Sequence, residues 1–128
     1  MAVAVQESMV TDVDRVTAAT LDAYSRRSDL ATEMPLAELL KVPSDLGTLR
    51  AVVGAADRTV EIVLDADVAA ASLAPAAWSL TAKGFQPIVL VSLDRLGEAH
   101  EGLRGTPARL QGWWSSGDSV AFGAFETP

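Results

Sequence analysis

Cysteine is absent from the chain, and histidine occurs only once, as His100. The lack of cysteine excludes disulfides, thiolate zinc sites and cysteine nucleophiles. One histidine does not supply the pairs and triplets of imidazoles that hold many catalytic metals, and no serine stands in a G-x-S-x-G elbow. Because most common catalytic centres are missing, we expect no cofactor and favour a non-enzymatic role.

Positive charge is also scarce. Lys41 and Lys83 are the only lysines, the arginines are scattered, and the formal net charge is −7. A protein with such a field repels the phosphate backbone of nucleic acids. We therefore expect no nucleic-acid partner.

Long apolar runs are missing as well. The alanine-rich stretch over residues 66–77 is interrupted by Asp67, Ser72 and Pro75, so it is too short to cross a bilayer. The first residues, MAVAVQES, contain no basic segment and reach Glu7 before any long apolar run, which argues against a signal peptide. We expect a cytoplasmic protein with no membrane partner.

The patterns that the chain does contain predict an α/β (mixed α+β) fold. A length of 128 residues fits a single domain, residues 1–128. Within it we expect N-terminal helices and a connector over residues 1–47, followed by an α/β core over residues 48–128. The core should hold a single mixed sheet of about five strands, with helices on both faces.

The N-terminal part begins with a predicted amphipathic helix over residues 7–27. Its stripe follows spacings of three and four and consists of Val10, Val13, Thr17, Leu21 and Tyr24. The stripe packs either on the domain itself or on the same helix of a second copy. We favour the first, because the pattern is too short for a coiled coil. Pro35 then opens a short helix through Leu40, and Pro43 closes it.

The core pattern alternates between strands and helices. Two strands surround a turn at residues 55–58, and a helix over residues 67–83 ends at Gly84. Pro75 marks either a kink in this helix or its true start. The apolar run at residues 88–91 is typical of a strand that is buried on both faces. Strand, helix and strand in this order predict one βαβ unit with parallel strands.

Ser92 is placed to cap the next helix, over residues 93–104. Gly97 and Gly102 lie inside this helix, where each costs up to about 1 kcal/mol relative to alanine. Close packing of the helix against another part of the protein would explain that cost. No glycine belongs to a phosphate-binding motif, since the chain has neither a G-x-G-x-x-G nor a Walker sequence.

The chain ends in a predicted antiparallel hairpin, LQGWWSSGDSVAFGAF. Neighbouring residues of a strand point to opposite faces, so Trp113 and Trp114 must do so. With a two-residue turn at residues 116–117, Phe125 falls on the face of Trp114. Neither face is polar, so we expect both to be covered. The cover of the Trp114 face should be the N-terminal helix, or its copy from a second subunit.

Four polar residues form the candidate site. In a βαβ unit the carboxyl ends of the two parallel strands lie together, and ligands commonly bind there. Asp65 and Asp67 follow the first of these strands, and Ser92 and Asp94 follow the second. Their oxygens would suit a ligand or Mg²⁺. Capping of the following helices explains the same positions without any ligand.

Two other titratable positions carry weaker signals. Glu61 and Asp65 share one strand face but lie about 13 Å apart along it. That spacing is too long for the paired carboxylates of glycosidases, so we expect both to be solvated or ion-paired. His100 lies beside a leucine stripe, and we expect it to be packed and hydrogen-bonded at the edge of the core.

Three functions follow from these patterns. The favoured one is a non-enzymatic interaction or scaffold protein that forms a homo-oligomer or binds another protein, with an interface drawn from Val13, Thr17, Tyr24, Trp113, Trp114 and Phe125. The second is a small-molecule-binding regulatory domain with its site near Asp65 and Ser92. The third is a divalent-metal-dependent enzyme that uses Asp65, Asp67 and Asp94.

Overall fold

The structure is a computed structural model that describes residues 11–40, Leu46 and residues 49–128. Three sequence predictions lie outside the described residues: the absence of a signal peptide, the first turn of the amphipathic helix, and the helix stop at Pro43. The described elements, in chain order, are α1 (Asp12–Arg26), β1 (Ala31–Pro35), α2 (Leu36–Leu40), β2 (Arg50–Gly54), β3 (Thr59–Val63), a 3₁₀ turn (Ala70–Leu73), α3 (Ala74–Ala82), β4 (Gln86–Ser92), a second 3₁₀ turn (Leu93–Arg95), α4 (Leu96–Gly102), β5 (Arg109–Ser116) and β6 (Ser119–Glu126).

All six strands form one mixed sheet in the order β1-β2-β3-β4-β5-β6. The pairs β3–β4 and β4–β5 are parallel, and the other three pairs are antiparallel. The predicted mixed α/β sheet with a C-terminal antiparallel hairpin is confirmed. Two details differ, because the sheet has six strands where five were expected, and it holds a second βαβ unit, β4–α4–β5.

The additional strand is β1, which lies in the predicted connector. It pairs with β2 in antiparallel register, with Glu33 opposite Val52 and Pro35 opposite Arg50. The side chain of Arg50 binds the Glu33 carboxylate across the pair. Proline is tolerated here because β1 is an edge strand of the described sheet, in which it pairs only with β2. The short helix after Pro35 is confirmed as α2.

Helices cover both faces of the sheet, as predicted. The 3₁₀ turn before α3, together with α2, α3 and α4, packs on one face over the larger core, where Leu73, Leu80 and Leu110 are fully buried. α1 packs on the other face over a smaller cluster of Val16, Val63, Ile88, Leu90 and Trp113. The amphipathic helix therefore packs within its own chain. No helix in the described part of the chain is long and apolar enough to cross a membrane.

The uncertain start of α3 is resolved. Pro75 lies in the first turn of the helix, where its missing N–H removes no helical hydrogen bond. The residues before it form a separate 3₁₀ turn. Gly84 follows the helix with a φ of 87°, a left-handed conformation that favours glycine. Pro75 is thus the true start and not a kink.

The terminal hairpin differs from its predicted register. Ser116 pairs with Ser119, so the turn lies one residue later than expected. A β-bulge then sets two residues, Gly123 and Ala124, opposite Gly112. As a result Phe125 pairs with Gln111 and lies on the face of Trp113, and the prediction for Phe125 is wrong.

The sheet face that α1 covers also differs from the prediction, which placed this helix over Trp114. α1 covers the face of Trp113, which is only 8% exposed. Trp114 points to the opposite face, next to Gly123, and is 39% exposed. α1 therefore does not cover the Trp114 face. His100 agrees with its prediction, because it is partly buried and its Nε2 lies 2.7 Å from Glu126 Oε1.

Candidate functional site

A cavity of about 590 Å³ lies at the carboxyl ends of β3, β4 and β5. The three strands are parallel neighbours, so the loops that follow them open at the same edge of the sheet. The first turn of α1 completes the wall. We name it the strand-end cavity; its lining residues are Thr11, Asp12, Val13, Val63, Leu64, Asp65, Ala66, Ser92, Leu93, Asp94, Arg95, Trp113, Trp114 and Ser115.

The strand-end cavity brings together three of the four predicted site residues. Asp65, Ser92 and Asp94 line it, whereas Asp67 is exposed and lies outside the lining. The helix-capping explanation does not hold for Ser92, whose side chain makes no cap hydrogen bond. Ala69 is the N-cap residue of the 3₁₀ turn before α3, and it likewise makes no side-chain cap hydrogen bond. The Ser92 hydroxyl is therefore left for the cavity.

The carboxylates do not assemble into a metal centre. Among the described residues, no group of three or more His, Asp or Glu side chains is arranged to hold a metal ion. Asp65 and Asp94 share the cavity with the cation of Arg95. The geometry gives no support to a metal site made of Asp65, Asp67 and Asp94.

Arg95 and Glu98 hold the two loops at this edge in place. The Arg95 guanidinium donates to the backbone carbonyls of Asp65 at 2.9 Å and Val68 at 2.7 Å. It also forms a two-pronged ion pair with the Glu98 carboxylate, at 3.0 and 2.8 Å. Glu98 in turn accepts the backbone N–H of Ala70 at 3.0 Å. We call Arg95 and Glu98 the loop clamp, because they tie the loop after β3 to the start of α4.

The loop clamp shifts the pKa values of both its members. The Arg95 hydrogen bonds and the Ala70 N–H stabilise the charged carboxylate, which lowers the pKa of Glu98 below its usual value. The same ion pair raises the pKa of Arg95. Both groups are therefore charged at neutral pH, and the Arg95 cation is already engaged. The negative charges of Asp12, Asp65 and Asp94 dominate the rest of the lining.

Trp113 carries an unsatisfied polar group. Its indole Nε1 is buried and is the one such side-chain nitrogen or oxygen in the described part of the chain that has no hydrogen-bond partner. A buried donor without a partner costs about 1–3 kcal/mol. Trp113 lines the strand-end cavity, with Trp114 and Leu93 exposed beside it. The cavity thus offers apolar surface from Trp114 and Leu93 beside its carboxylates.

The six predicted interface residues separate into two groups. Four are engaged within the chain: Thr17, Tyr24 and Trp113 are buried, and Val13 packs against the cluster under α1. Trp114 and Phe125 stay accessible, and Phe125 is 52% exposed. Only these two are available to a partner.

Sequence reasoning missed the residues that organise the site most strongly. The i, i+3 spacing of Arg95 and Glu98 is a visible signal for an ion pair on a helix. The contacts of Arg95 with the carbonyls of Asp65 and Val68 have no such signal, because backbone acceptors carry no side-chain signature. The unpaired indole of Trp113 was equally invisible, since only the packed structure shows which donors lack partners.

Comparison with protein-family models finds no match to this chain. Curated proteins and solved structures likewise give no significant match. Function is therefore inferred from the residues that form the cavities and edges of the fold.

Proposed function

We propose that the protein is a cytoplasmic small-molecule-binding domain whose ligand occupies the strand-end cavity. The observation that carries the proposal is that Asp65, Ser92 and Asp94 line one cavity together with Trp113 and Trp114, where the loops after three parallel strands open at the same edge of the sheet. A volume of about 590 Å³ also lies within the usual range of small-molecule sites.

The lining indicates the chemistry of the ligand. Asp65, Asp94 and the Ser92 hydroxyl offer hydrogen-bond acceptors, and the exposed side chains of Trp114 and Leu93 offer apolar surface. The excess of carboxylates disfavours anions. We infer a neutral or cationic ligand with an aromatic ring and with hydrogen-bond donors for the carboxylates.

Replacing Trp113 with phenylalanine is expected to weaken ligand binding about tenfold, because the smaller ring removes part of the apolar surface that the indole contributes to the cavity wall. A panel of nucleosides, nucleobases and aromatic amides, screened by thermal shift, should contain compounds that stabilise the wild type. A compound at a hundredfold its Kd adds about 2.7 kcal/mol. Trp78→Phe is the matched control, because Trp78 is 57% exposed on α3 and does not line the cavity.

Fluorescence gives a second readout that does not depend on the stability of Trp113→Phe. In Trp78→Phe the two remaining tryptophans both line the strand-end cavity. Binding there should shift or quench their emission. The proposal fails if no panel compound stabilises the wild type, or if the stabilising compounds bind Trp113→Phe as tightly and leave this emission unchanged.

Self-association is the second candidate function, and the β6 edge favours it. In the described sheet β6 pairs only with β5, so one side of an eight-residue strand carries free backbone groups. Glu126 is its only charged residue, whereas natural edges are usually short or charged. Two copies could extend the sheet by pairing β6 with β6 around a twofold axis.

A lysine on this edge is expected to convert a dimer into a monomer. Ala124 is exposed in the β6 bulge, so Ala124→Lys places a charge where the partner strand would pair. Ala55→Lys makes the same change in the exposed β2–β3 turn and should leave the dimer intact. Light scattering coupled to size exclusion measures the mass. A wild type that stays monomeric at 100 µM, or a dimer that survives Ala124→Lys, rules out this interface.

A further inference from the structure

A second cavity, of about 460 Å³, lies on the opposite side of the fold from α3 and α4. It is enclosed by the second half of α1 and by the face of the sheet that α1 covers. We name it the helix-side cavity; its lining residues are Thr20, Ala23, Tyr24, Arg27, Asp57, Thr59, Glu61, Gln86, Ile88, Arg109, Gln111, Phe122 and Phe125. The helix-side cavity and the strand-end cavity have no lining residue in common.

Glu61 is the distinctive residue of the helix-side cavity. It lies on the central strand β3, is 8% exposed, and is the only charged residue among the buried residues of the described chain. No described Lys, Arg or His nitrogen lies within 4.0 Å of its carboxylate. The expectation that Glu61 is solvated or ion-paired is therefore wrong.

Burial without an ion pair is unfavourable for a carboxylate. It raises the pKa of Glu61, and the neighbouring Tyr24 hydroxyl and Arg27 charge only partly oppose the rise. The Tyr24 hydroxyl is also engaged with Thr59 Oγ1 at 2.6 Å. The other residues that β3 buries are aliphatic, so the packing of this strand does not require a charged side chain. Glu61 thus costs stability at a position that opens onto a cavity.

Aromatic rings form another part of the cavity wall, on β6, with β4 and β5 lying between β6 and β3 in the sheet. Phe122 and Phe125 lie on the same face of β6, because the bulge at Gly123 and Ala124 turns Phe125 toward α1. Phe125 remains 52% exposed, which leaves its ring open to a ligand. Such rings offer apolar surface to the body of a ligand. An anion in one part of the cavity and aromatic rings in another form a pattern that fits a cation with an apolar body.

Two arginines at the cavity do not reverse this preference. Arg27 and Arg109 are both exposed, so water and salt screen their charges. The Arg27 guanidinium also stacks 4.5 Å from the centre of the Tyr24 ring. Asp57, likewise exposed, offsets one of the two positive charges. The charge of Glu61, by contrast, is shielded from bulk solvent.

We propose that the helix-side cavity is a second binding site, which takes a small organic ammonium ion. The ammonium group donates hydrogen bonds to the Glu61 carboxylate, and the apolar body lies over Ile88 and extends along the cavity toward the rings of β6. This site is separate from the strand-end cavity, and ligand binding at either cavity can be tested alone.

Phenethylamine, with 2-phenylethanol as its neutral counterpart, tests the proposal by NMR titration and calorimetry at pH 7. The amine should bind the full chain, and the alcohol should bind at least about tenfold more weakly, because a hydrogen bond to a charged group is lost. Glu61→Gln keeps the size of the side chain and should weaken amine binding at least about tenfold. Asp57→Asn removes the same charge at the rim and should leave amine binding within a factor of two.

Folding of the key variant is checked by its unfolding midpoint, which should equal or exceed that of the wild type because a buried charge is removed. Amine binding that depends on Glu61 but not on Asp57 supports the site. The proposal is overturned if phenethylamine does not bind at millimolar concentration, if the alcohol binds as well as the amine, or if a folded Glu61→Gln binds the amine like the wild type.

Discussion

The Arg95→Met variant is expected to unfold with a free energy about 1.5–3 kcal/mol lower than that of the wild type, the cost of losing hydrogen bonds to a charged group. Methionine keeps much of the apolar stem but leaves the carbonyls of Asp65 and Val68 without their donor. Glu98 loses both prongs of its ion pair at the same time. Urea denaturation at pH 7 measures the difference.

Arg104→Met is the matched control for the loop clamp. Arg104 is exposed after α4 and has no ion pair or side-chain hydrogen bond with any described residue. An exposed substitution of this kind changes stability by no more than about 0.5 kcal/mol. Equal losses in the two variants would show that Arg95 does not hold the loops.

The loop clamp also predicts an acid dependence. Because the pKa of Glu98 is lowered from its usual 4.5, its charge stabilises the fold above that value, and this stabilisation is lost as the pH falls through the lowered pKa. In Arg95→Met the pKa of Glu98 returns toward its usual value, so the acid loss should be shallower. The raised pKa of Glu61 acts in the opposite sense but is common to both proteins. The difference between their pH profiles therefore isolates Glu98.

Gly102→Ala is expected to lower the free energy of unfolding by about 1–3 kcal/mol, the range found for overpacking. A Cβ at this position would lie 2.8 Å from the backbone nitrogen of Ala71 and 3.1 Å from its Cα. These are atoms of the 3₁₀ turn before α3, and a backbone cannot move aside as a flexible side chain can. The clash outweighs the gain in helix propensity from alanine. Thermal or urea unfolding measures the loss.

Gly97→Ala is the control within the same helix. A Cβ at Gly97 meets no atom within 4 Å, so alanine should raise stability by up to about 1 kcal/mol. The two variants should therefore change stability in opposite directions. A loss at both positions would indicate that the two glycines of α4 are needed for a reason other than the contact with Ala71. The close packing expected from the sequence explains Gly102 but not Gly97.

The elements that the sequence predicted best have strong local signals. The turn at residues 55–58, the helix stop at Gly84 and the buried strand around Ile88 follow from turn chemistry and apolar runs, and the structure has each of them. β1 was missed because ATEMP contains a proline and no clear alternation. Its conformation depends on pairing with β2, which lies beyond the range of any local pattern.

The candidate site likewise has parts that could be predicted from the sequence and parts that could not. Asp65, Ser92 and Asp94 could be placed near each other because topology alone brings the ends of parallel strands together. The face of Phe125 could not be predicted, since one extra residue in a bulge reverses the alternation that follows. The burial of Glu61 could not be predicted either, since the neighbouring Tyr24 belongs to α1, which comes from a distant part of the chain.

The strands lie in the sheet in the same order as in the sequence, and this order has a consequence for folding. Each strand pairs only with its neighbours in sequence, so the sheet can grow by steps that close short loops. α1 is the exception, because Arg15 Nη1 donates to Ser115 Oγ at 3.1 Å across 100 residues. That contact closes a long loop, as does the bond from Arg15 Nη2 to the Ser119 carbonyl across 104 residues, and both must wait until the last hairpin exists. Both cavities contain residues of α1 and of the hairpin, so an emerging chain acquires neither binding site until its final strands are made.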